Sequence, residues 1–119
     1  MVTIKSHTDL SQSMILSKIL PLESADMFYR DNGIDVKLMW EHNAQKVKYP
    51  CWSLAALLGV LPDRICLDNE KYYLSYKKDK VEYLGPLTWD GQKCITSKAN
   101  TIVDACVDMI EKLHEQNLI

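Results

Sequence analysis

The chain has 119 residues, of which 47% are apolar and 25% are charged, and its formal net charge is −2 at pH 7. This composition is typical of a soluble globular protein and excludes a disordered chain, and the length predicts one domain over residues 1–119. The near-neutral charge excludes a strong overall attraction to nucleic acid or to anionic membranes.

An amphipathic helix is predicted over residues 6–20. Ser6 or Thr8 is a candidate N-cap, and Asp9 lies where the helix dipole favours an acidic side chain. Apolar residues recur at four-residue spacing in the second half of this segment. Pro21 ends the helix because proline cannot continue the hydrogen-bond ladder.

A β-hairpin is predicted to follow. Asn32-Gly33 is the strongest short hairpin signal, since both residues tolerate a positive φ. Val36, Leu38 and Trp40 then alternate with Asp35, Lys37 and Met39, which is the period of a half-buried strand. Residues 41–50 are interpreted as a polar connection.

An uncharged apolar segment occupies residues 51–61, with a proline at each end. It is too short to span a membrane, which needs about 20 residues. A helix that is apolar on all sides is predicted to be a core helix, with Leu57 and Leu58 buried and Trp52 at its edge. Gly59 would then allow close packing of another element. The alternative interpretation is a partner-binding face.

Residues 70–97 predict an antiparallel meander. Tyr72, Leu74 and Tyr76 alternate with more polar side chains, and the last strand is predicted over residues 92–96. Gly85-Pro86 and Asp90-Gly91 are interpreted as turns between strands.

The C-terminal segment predicts an amphipathic helix capped by Asn100 or Thr101, with Asp108 and Lys112 spaced for an ion pair. An apolar stripe runs along it from Ile102 to Leu113. Together the elements predict an α+β fold, in which an antiparallel sheet packs against a buried central helix and this amphipathic C-terminal helix.

Residues that carry chemistry in enzymes form no recognisable motif. The four cysteines include no close pair, and His7, His42 and His114 lie far apart, so we expect no bound metal. Phosphate-binding glycine loops are absent, so we expect no nucleotide cofactor. Cys51 is interpreted as a structural thiol, and Ser53 as a capping or packing residue. We therefore expect a non-catalytic protein, with a small enzyme built from scattered Asp, Tyr and His residues as an alternative.

Lysines and tyrosines interleave between residues 71 and 83. Aromatic side chains beside cations on a sheet can stack on nucleic-acid bases, so a nucleic-acid-binding hairpin is a second alternative. Neighbouring acidic residues offset part of this charge, and strands are rich in tyrosine for packing reasons. The candidate binding residues are Lys71, Tyr73, Lys77, Lys78 and Lys80.

The cellular setting is predicted from the first residues and from the cysteines. The N-terminus lacks an apolar run behind a basic start, and Val2 stands where myristoylation needs glycine. The cysteines are expected to be free thiols, which suits a reducing compartment. These features predict a cytoplasmic protein without a membrane anchor.

Three stretches together resemble a group of short uncharacterised proteins of gut Bacteroidetes and of their phages or mobile elements. These stretches are LESADMFY, WSLAALLGVLP and VDACVDMIEKLHEQNLI. The resemblance implies a cytoplasmic setting and a phage or mobile-element origin, and it assigns no functional residue. The prediction for function is a small accessory or protein-interaction module, with a protein partner or a second copy of the chain as its ligand.

Overall fold

The computed structural model describes residues 5–30, 36–38 and 47–119. The chain divides into two compact units, Met1–Val60 and Leu61–Ile119. Three α-helices and two antiparallel sheets are formed by the described residues, so the predicted α+β class is confirmed. The strands form two separate sheets, whereas the sequence predicted one.

The first unit combines two short helices with a three-stranded sheet of order β2-β1-β3. In chain order its elements are α1 (Leu10–Leu16), a 3-10 turn (Leu22–Ser24), β1 (Met27–Arg30), β2 (Val36–Leu38), β3 (Val47–Cys51) and α2 (Leu54–Val60).

Helix α1 begins later than predicted because its cap is Asp9 and not Ser6 or Thr8, and it ends at Leu16, before the predicted stop at Pro21. The Asp9 carboxylate accepts a hydrogen bond from the Gln12 N–H at 2.8 Å, and the Gln12 side chain accepts one from the Asp9 N–H at 3.0 Å. This reciprocal capping box fixes the helix start at Leu10. Thr8 is fully buried, and its hydroxyl bonds to the Ser13 hydroxyl at 2.8 Å.

The predicted hairpin strand is present, because Val36 pairs with Tyr29 in an antiparallel ladder between β1 and β2. Asn32-Gly33 and residues 39–40 lie outside the described residues. The interpretation of residues 41–50 as a connection is wrong for their last four residues, which belong to β3 and pair with β1. Pro50 is tolerated there because β3 is at the edge of the described sheet, where proline interrupts no ladder.

Helix α2 covers only part of the predicted central helix, and its burial is uneven. Trp52 and Leu57 are fully buried, so Trp52 is a core residue and not an edge residue. The prediction for Leu58 is wrong, since this side chain is partly exposed. Gly59 is exposed, and outside its own helix no atom of the described residues lies within 4 Å of the position that a Cβ would take, so the predicted close packing of another element is not found among them.

The second unit is a four-stranded antiparallel meander of order β4-β5-β6-β7, followed by a helix that lies against β6 and β7. The meander was predicted, apart from its first strand. The elements are β4 (Arg64–Leu67), β5 (Glu70–Lys77), β6 (Lys80–Thr88), β7 (Gly91–Lys98) and α3 (Ile102–Glu115).

Turn chemistry sets the register of this sheet. Asp68 and Asn69 have φ values of 53° and 65°, which is the conformation of a type I′ turn between β4 and β5. Gly85-Pro86 is not a turn, because both residues lie inside β6, where the pairing with β7 shifts between Leu84 and Leu87. Such an irregularity bends a strand locally.

Helix α3 begins as predicted, because the Thr101 hydroxyl accepts a hydrogen bond from the Asp104 N–H at 3.1 Å. Asp108 and Lys112 form the predicted i, i+4 ion pair, with 3.3 Å between Oδ2 and Nζ. The apolar stripe is buried except for Ile102, which is partly exposed, and three smaller neighbours are buried with it. The buried residues of α3 are Val103, Ala105, Cys106, Val107, Met109, Ile110 and Leu113. This face and the buried side of the sheet form the core of the second unit.

Candidate binding surface

The four-stranded sheet has an inner face, on which Tyr72, Val81, Tyr83 and Ser97 are buried, and an opposite outer face. Side chains that are paired across an antiparallel ladder point to the same side. The outer face therefore carries Arg64, Cys66, Lys71, Tyr73, Ser75, Lys77, Lys80, Glu82, Leu84, Cys94, Thr96 and Lys98.

Four of the five candidate binding residues lie together on this outer face. Lys71, Tyr73 and Lys77 alternate along β5, and Lys80 lies opposite Lys77 on β6. Lys78 belongs to the turn between these two strands. The strand period predicted from the sequence brings these residues together, because side chains two positions apart share a face.

A row of three lysines crosses one end of the outer face. Lys80 pairs with Lys77 on one side and with Lys98 on the other. Among the described residues, the counter-charge to this row is Glu82, whose Oε1 lies 3.5 Å from Lys80 Nζ. Like charges directly opposite each other destabilise a sheet. The row is thus a local excess of positive charge at the sheet surface.

The neighbouring part of the outer face contains an exposed aromatic ring. Tyr73 is 53% exposed and pairs with Arg64 on β4 and with Leu84 on β6. Tyr76, on the same strand, is 52% exposed but belongs to the opposite face. Tyr73 is therefore the tyrosine that lies among the outer-face cations.

Two further tyrosines of the predicted hairpin serve the core. Tyr72 and Tyr83 are buried on the inner face. The Tyr83 hydroxyl donates a hydrogen bond to the Pro62 carbonyl at 2.7 Å, and burial and the Asp63 carboxylate raise the Tyr83 pKa. These rings are unavailable for stacking on a ligand, so the packing interpretation is correct for them.

The outer face also includes two cations that the sequence interpretation missed, Arg64 and Lys98. Arg64 was missed because the sequence interpretation did not predict β4. The residues of β4 alternate in burial, and they directly precede the Asp68-Asn69 turn. Lys98 lies beyond the predicted end of the last strand, and its position beside Lys80 follows from the strand pairing alone.

The tip of the β6–β7 hairpin is the most exposed apolar part of the described chain. Trp89 is 96% exposed and Leu87 is 81% exposed. The Thr88 hydroxyl donates to the Asp90 carboxylate at 2.5 Å and lies 2.6 Å from the Gly91 carbonyl oxygen. The indole therefore extends from a hydrogen-bonded two-residue turn. The Asp90-Gly91 turn signal was recognised in the sequence, and Trp89 was not.

The first unit contains a buried polar cluster around Cys51. Its thiol lies 3.6 Å from the Thr8 hydroxyl, and the Tyr29 hydroxyl donates to the Thr8 carbonyl at 2.7 Å. Burial raises the pKa of Cys51 and raises that of Tyr29 to about 12. A buried thiol with a raised pKa is inert, which supports the structural interpretation of Cys51.

Ser53 has the capping role that was predicted for it. Its hydroxyl accepts a hydrogen bond from the Ala56 N–H at 3.2 Å and donates to the Asp26 carboxylate at 2.5 Å. Asp26 also accepts from the Ser53 N–H at 2.9 Å. This pair connects the start of α2 to the segment before β1.

Neither a metal centre nor a membrane-spanning helix is found within residues 5–30, 36–38 and 47–119. No group of three or more His, Cys, Asp or Glu side chains among them is arranged to hold a metal ion. None of their helices is long and apolar enough to cross a bilayer. His42 lies outside the described residues.

Comparisons with known proteins give no further assignment. No protein-family model, curated protein or solved structure matches the chain.

Proposed function

We propose that this protein is a non-catalytic accessory module that binds a protein partner through Leu87 and Trp89 at the tip of the β6–β7 hairpin. The observation that carries the proposal is the exposure of Trp89, of which 96% of the surface is accessible. Tryptophan is enriched among the few interface residues that dominate binding energy.

The geometry of the tip supports this role. Leu87 and Trp89 lie two residues apart, on either side of Thr88, whose hydroxyl bonds fix the turn. A rigid turn lowers the entropic cost of placing the indole in a partner's pocket. Lys93, further along β7, forms an ion pair with Glu70 at 2.6 Å, so a polar group lies at the edge of the apolar tip. An apolar anchor with a polar rim is the usual arrangement of a protein interface.

The proposed setting is the cytoplasm, and the proposed origin is a phage or mobile element. The cysteines support the first point, because Cys66 and Cys94 are exposed free thiols and such thiols persist in reducing compartments. The origin rests on the resemblance of the three sequence stretches described above. A second copy of the chain is the alternative partner.

The test begins with a chain that carries a photoreactive amino acid in place of Gln92, which is exposed opposite Leu87, so that Leu87 and Trp89 keep their own side chains. It is crosslinked in its native host, and the captured protein is identified and purified. Binding of that protein is then measured for Trp89→Ala and Leu87→Ala. We expect an affinity loss of about 30-fold or more for Trp89→Ala, the effect of removing an interface hot spot.

The matched control is Leu22→Ala, because Leu22 is 54% exposed in the 3-10 turn of the first unit. It should leave the affinity unchanged. Equal affinity of wild type and Trp89→Ala for the captured protein would contradict the proposal. Light scattering tests whether the partner is a second copy of the chain. A homodimer would have twice the mass of the monomer, and Trp89→Ala should return the mass to that of the monomer.

A further inference from the structure

The outer face of the four-stranded sheet holds a positive charge that its own residues do not neutralise. Its cations are Arg64, Lys71, Lys77, Lys80 and Lys98, and its one carboxylate is Glu82. Among the described residues, ion pairs on this face are limited to Lys80 with Glu82. Arg64, Lys71, Lys77 and Lys98 are exposed. An anionic ligand would therefore gain contacts without having to break existing ion pairs.

The lysine row indicates that the ligand is an anion. Lys77, Lys80 and Lys98 occupy directly opposite positions on three adjacent strands. Their mutual repulsion opposes folding, and a bound anion would relieve it. The net charge of the whole chain is −2, but a ligand responds to the electrostatic field near its binding surface. The acidic residues of α3 lie on a different element from the lysine row.

The size of the surface indicates an extended polyanion. Lys71 and Lys77 are six residues apart on β5, which corresponds to about 20 Å along a strand. Cations therefore lie at both ends of β5, and Tyr73 lies between them. A single phosphate could contact only one end, whereas a polymer with repeating phosphates can contact both.

The exposed ring of Tyr73 indicates which class of polyanion fits this face. Its side chain is 53% exposed and lies between Arg64 on β4 and Leu84 on β6. An open aromatic ring stacks on unpaired bases, whose faces are hidden in a duplex. An acidic protein segment would use the cations but offers no ring for Tyr73 to stack on.

We infer that the outer face of the four-stranded sheet binds single-stranded nucleic acid. The cations contact its phosphates, and Tyr73 stacks on a base. This inference is independent of the proposed protein interaction, which uses the hairpin tip.

The experiment measures fluorescence anisotropy of dye-labelled oligothymidylate and oligouridylate of about 20 nucleotides, titrated with the full chain. For about four phosphate contacts, the logarithm of the affinity should fall with the logarithm of the salt concentration with a slope of about −3. Binding of either oligonucleotide with this salt dependence supports the inference, and their affinity ratio shows whether DNA or RNA is preferred. Absence of binding to both at low salt overturns it.

Two matched pairs of variants assign the binding to this face. Tyr73→Ala should weaken binding about tenfold, the usual effect of removing one stacking partner, and Tyr76→Ala should not change it. Lys77→Gln should lower the salt slope by about 0.7, and Lys18→Gln, at an exposed position in the first unit, should leave it unchanged. Equal effects within either pair would overturn the assignment.

Two controls separate binding from folding and from simple charge attraction. Lys77→Gln should not lower the melting temperature, because it reduces repulsion in the lysine row. Polyglutamate at equal charge concentration should compete poorly with oligothymidylate, since it cannot stack on Tyr73. Competition as strong as that of unlabelled oligothymidylate would overturn nucleic acid as the ligand and indicate an acidic protein segment.

Discussion

The ring of Tyr72 lies directly over the backbone of Gly85. A Cβ atom at Gly85 would be 2.5 Å from Tyr72 Cε2, which is closer than two non-bonded carbon atoms can approach. Tyr72 is a buried residue of β5, and Gly85 lies at the irregular part of β6. This contact is the reason that the position requires glycine, because the Tyr72 ring fills the space that any side chain would need.

We predict that Gly85→Ala destabilises the protein by about 1–3 kcal/mol, the usual cost of overpacking a filled site. Urea unfolding followed by circular dichroism measures this change. The double variant Gly85→Ala with Tyr72→Leu should lose less than the sum of the two single changes, because the two residues contact each other. Additive effects would show that the Tyr72 ring is not what excludes a side chain at Gly85.

An alanine substitution at Gly59 should have the opposite effect on stability. Gly59 lies within α2 and is exposed, and the described residues outside this helix place no atom within 4 Å of the position of a Cβ. Gly59→Ala should therefore stabilise the protein by roughly 0.5–1 kcal/mol, because alanine restricts the unfolded chain and favours the helix. A rise in melting temperature would confirm it, and a fall would reveal a neighbour that occupies this space.

Leu57 and Leu58 differ in burial and should differ in their effect on stability. Leu57 is fully buried and Leu58 is partly exposed. Leu57→Ala should cost about 2–5 kcal/mol, a large part of the roughly 5–15 kcal/mol that stabilises a typical domain. Leu58→Ala should cost clearly less. Chemical denaturation of both variants measures the difference, and equal losses would contradict the assigned burial.

Alkaline pH should destabilise the protein through its buried thiol in α3. Burial raises the pKa of Cys106 from 9.0 to about 12, so the folded chain keeps this proton while the unfolded chain loses it above pH 9. The stability contributed by the protonated thiol is thus complete below about pH 9 and is lost as pH rises to about 12. The slope for one such group reaches about 1.4 kcal/mol per pH unit.

Cys106→Ala is the comparison for this pH effect. Urea midpoints measured from pH 7 to pH 11 should fall less steeply for the variant than for the wild-type chain. A residual slope is expected, because burial also raises the pKa of Tyr29. Parallel curves for the two chains would mean that Cys106 ionises equally in the folded and unfolded states.

Local patterns were sufficient for much of the fold. The alternation along residues 70–97 predicted the meander, and the Thr101 cap predicted the start of α3, because both signals depend on neighbours in sequence. The first helix was placed too early, since Thr8 is a good cap in isolation. The tertiary structure instead uses its hydroxyl to bond to Ser13, in a buried position.

Local signals were insufficient for two of the edge strands, β3 and β4. β3 contains Pro50, and β4 has only four residues, so neither segment has a strong strand signal of its own. Each becomes a strand because a neighbouring strand offers a ladder for it to pair with. For β3 the partner is β1, which is distant in sequence, whereas β4 pairs with β5 across the Asp68-Asn69 turn.

The sequence by itself determined which residues alternate along β5, and so placed Lys71, Tyr73 and Lys77 on one face of a strand. Only the tertiary structure decided which face is buried, and it assigned Tyr72 and Tyr83 to the core. The pairing of β6 with β7 also placed Lys98 beside Lys80. Alternation is a property of one strand, whereas burial and cross-strand register depend on how strands and α3 pack together, which local spacing does not encode.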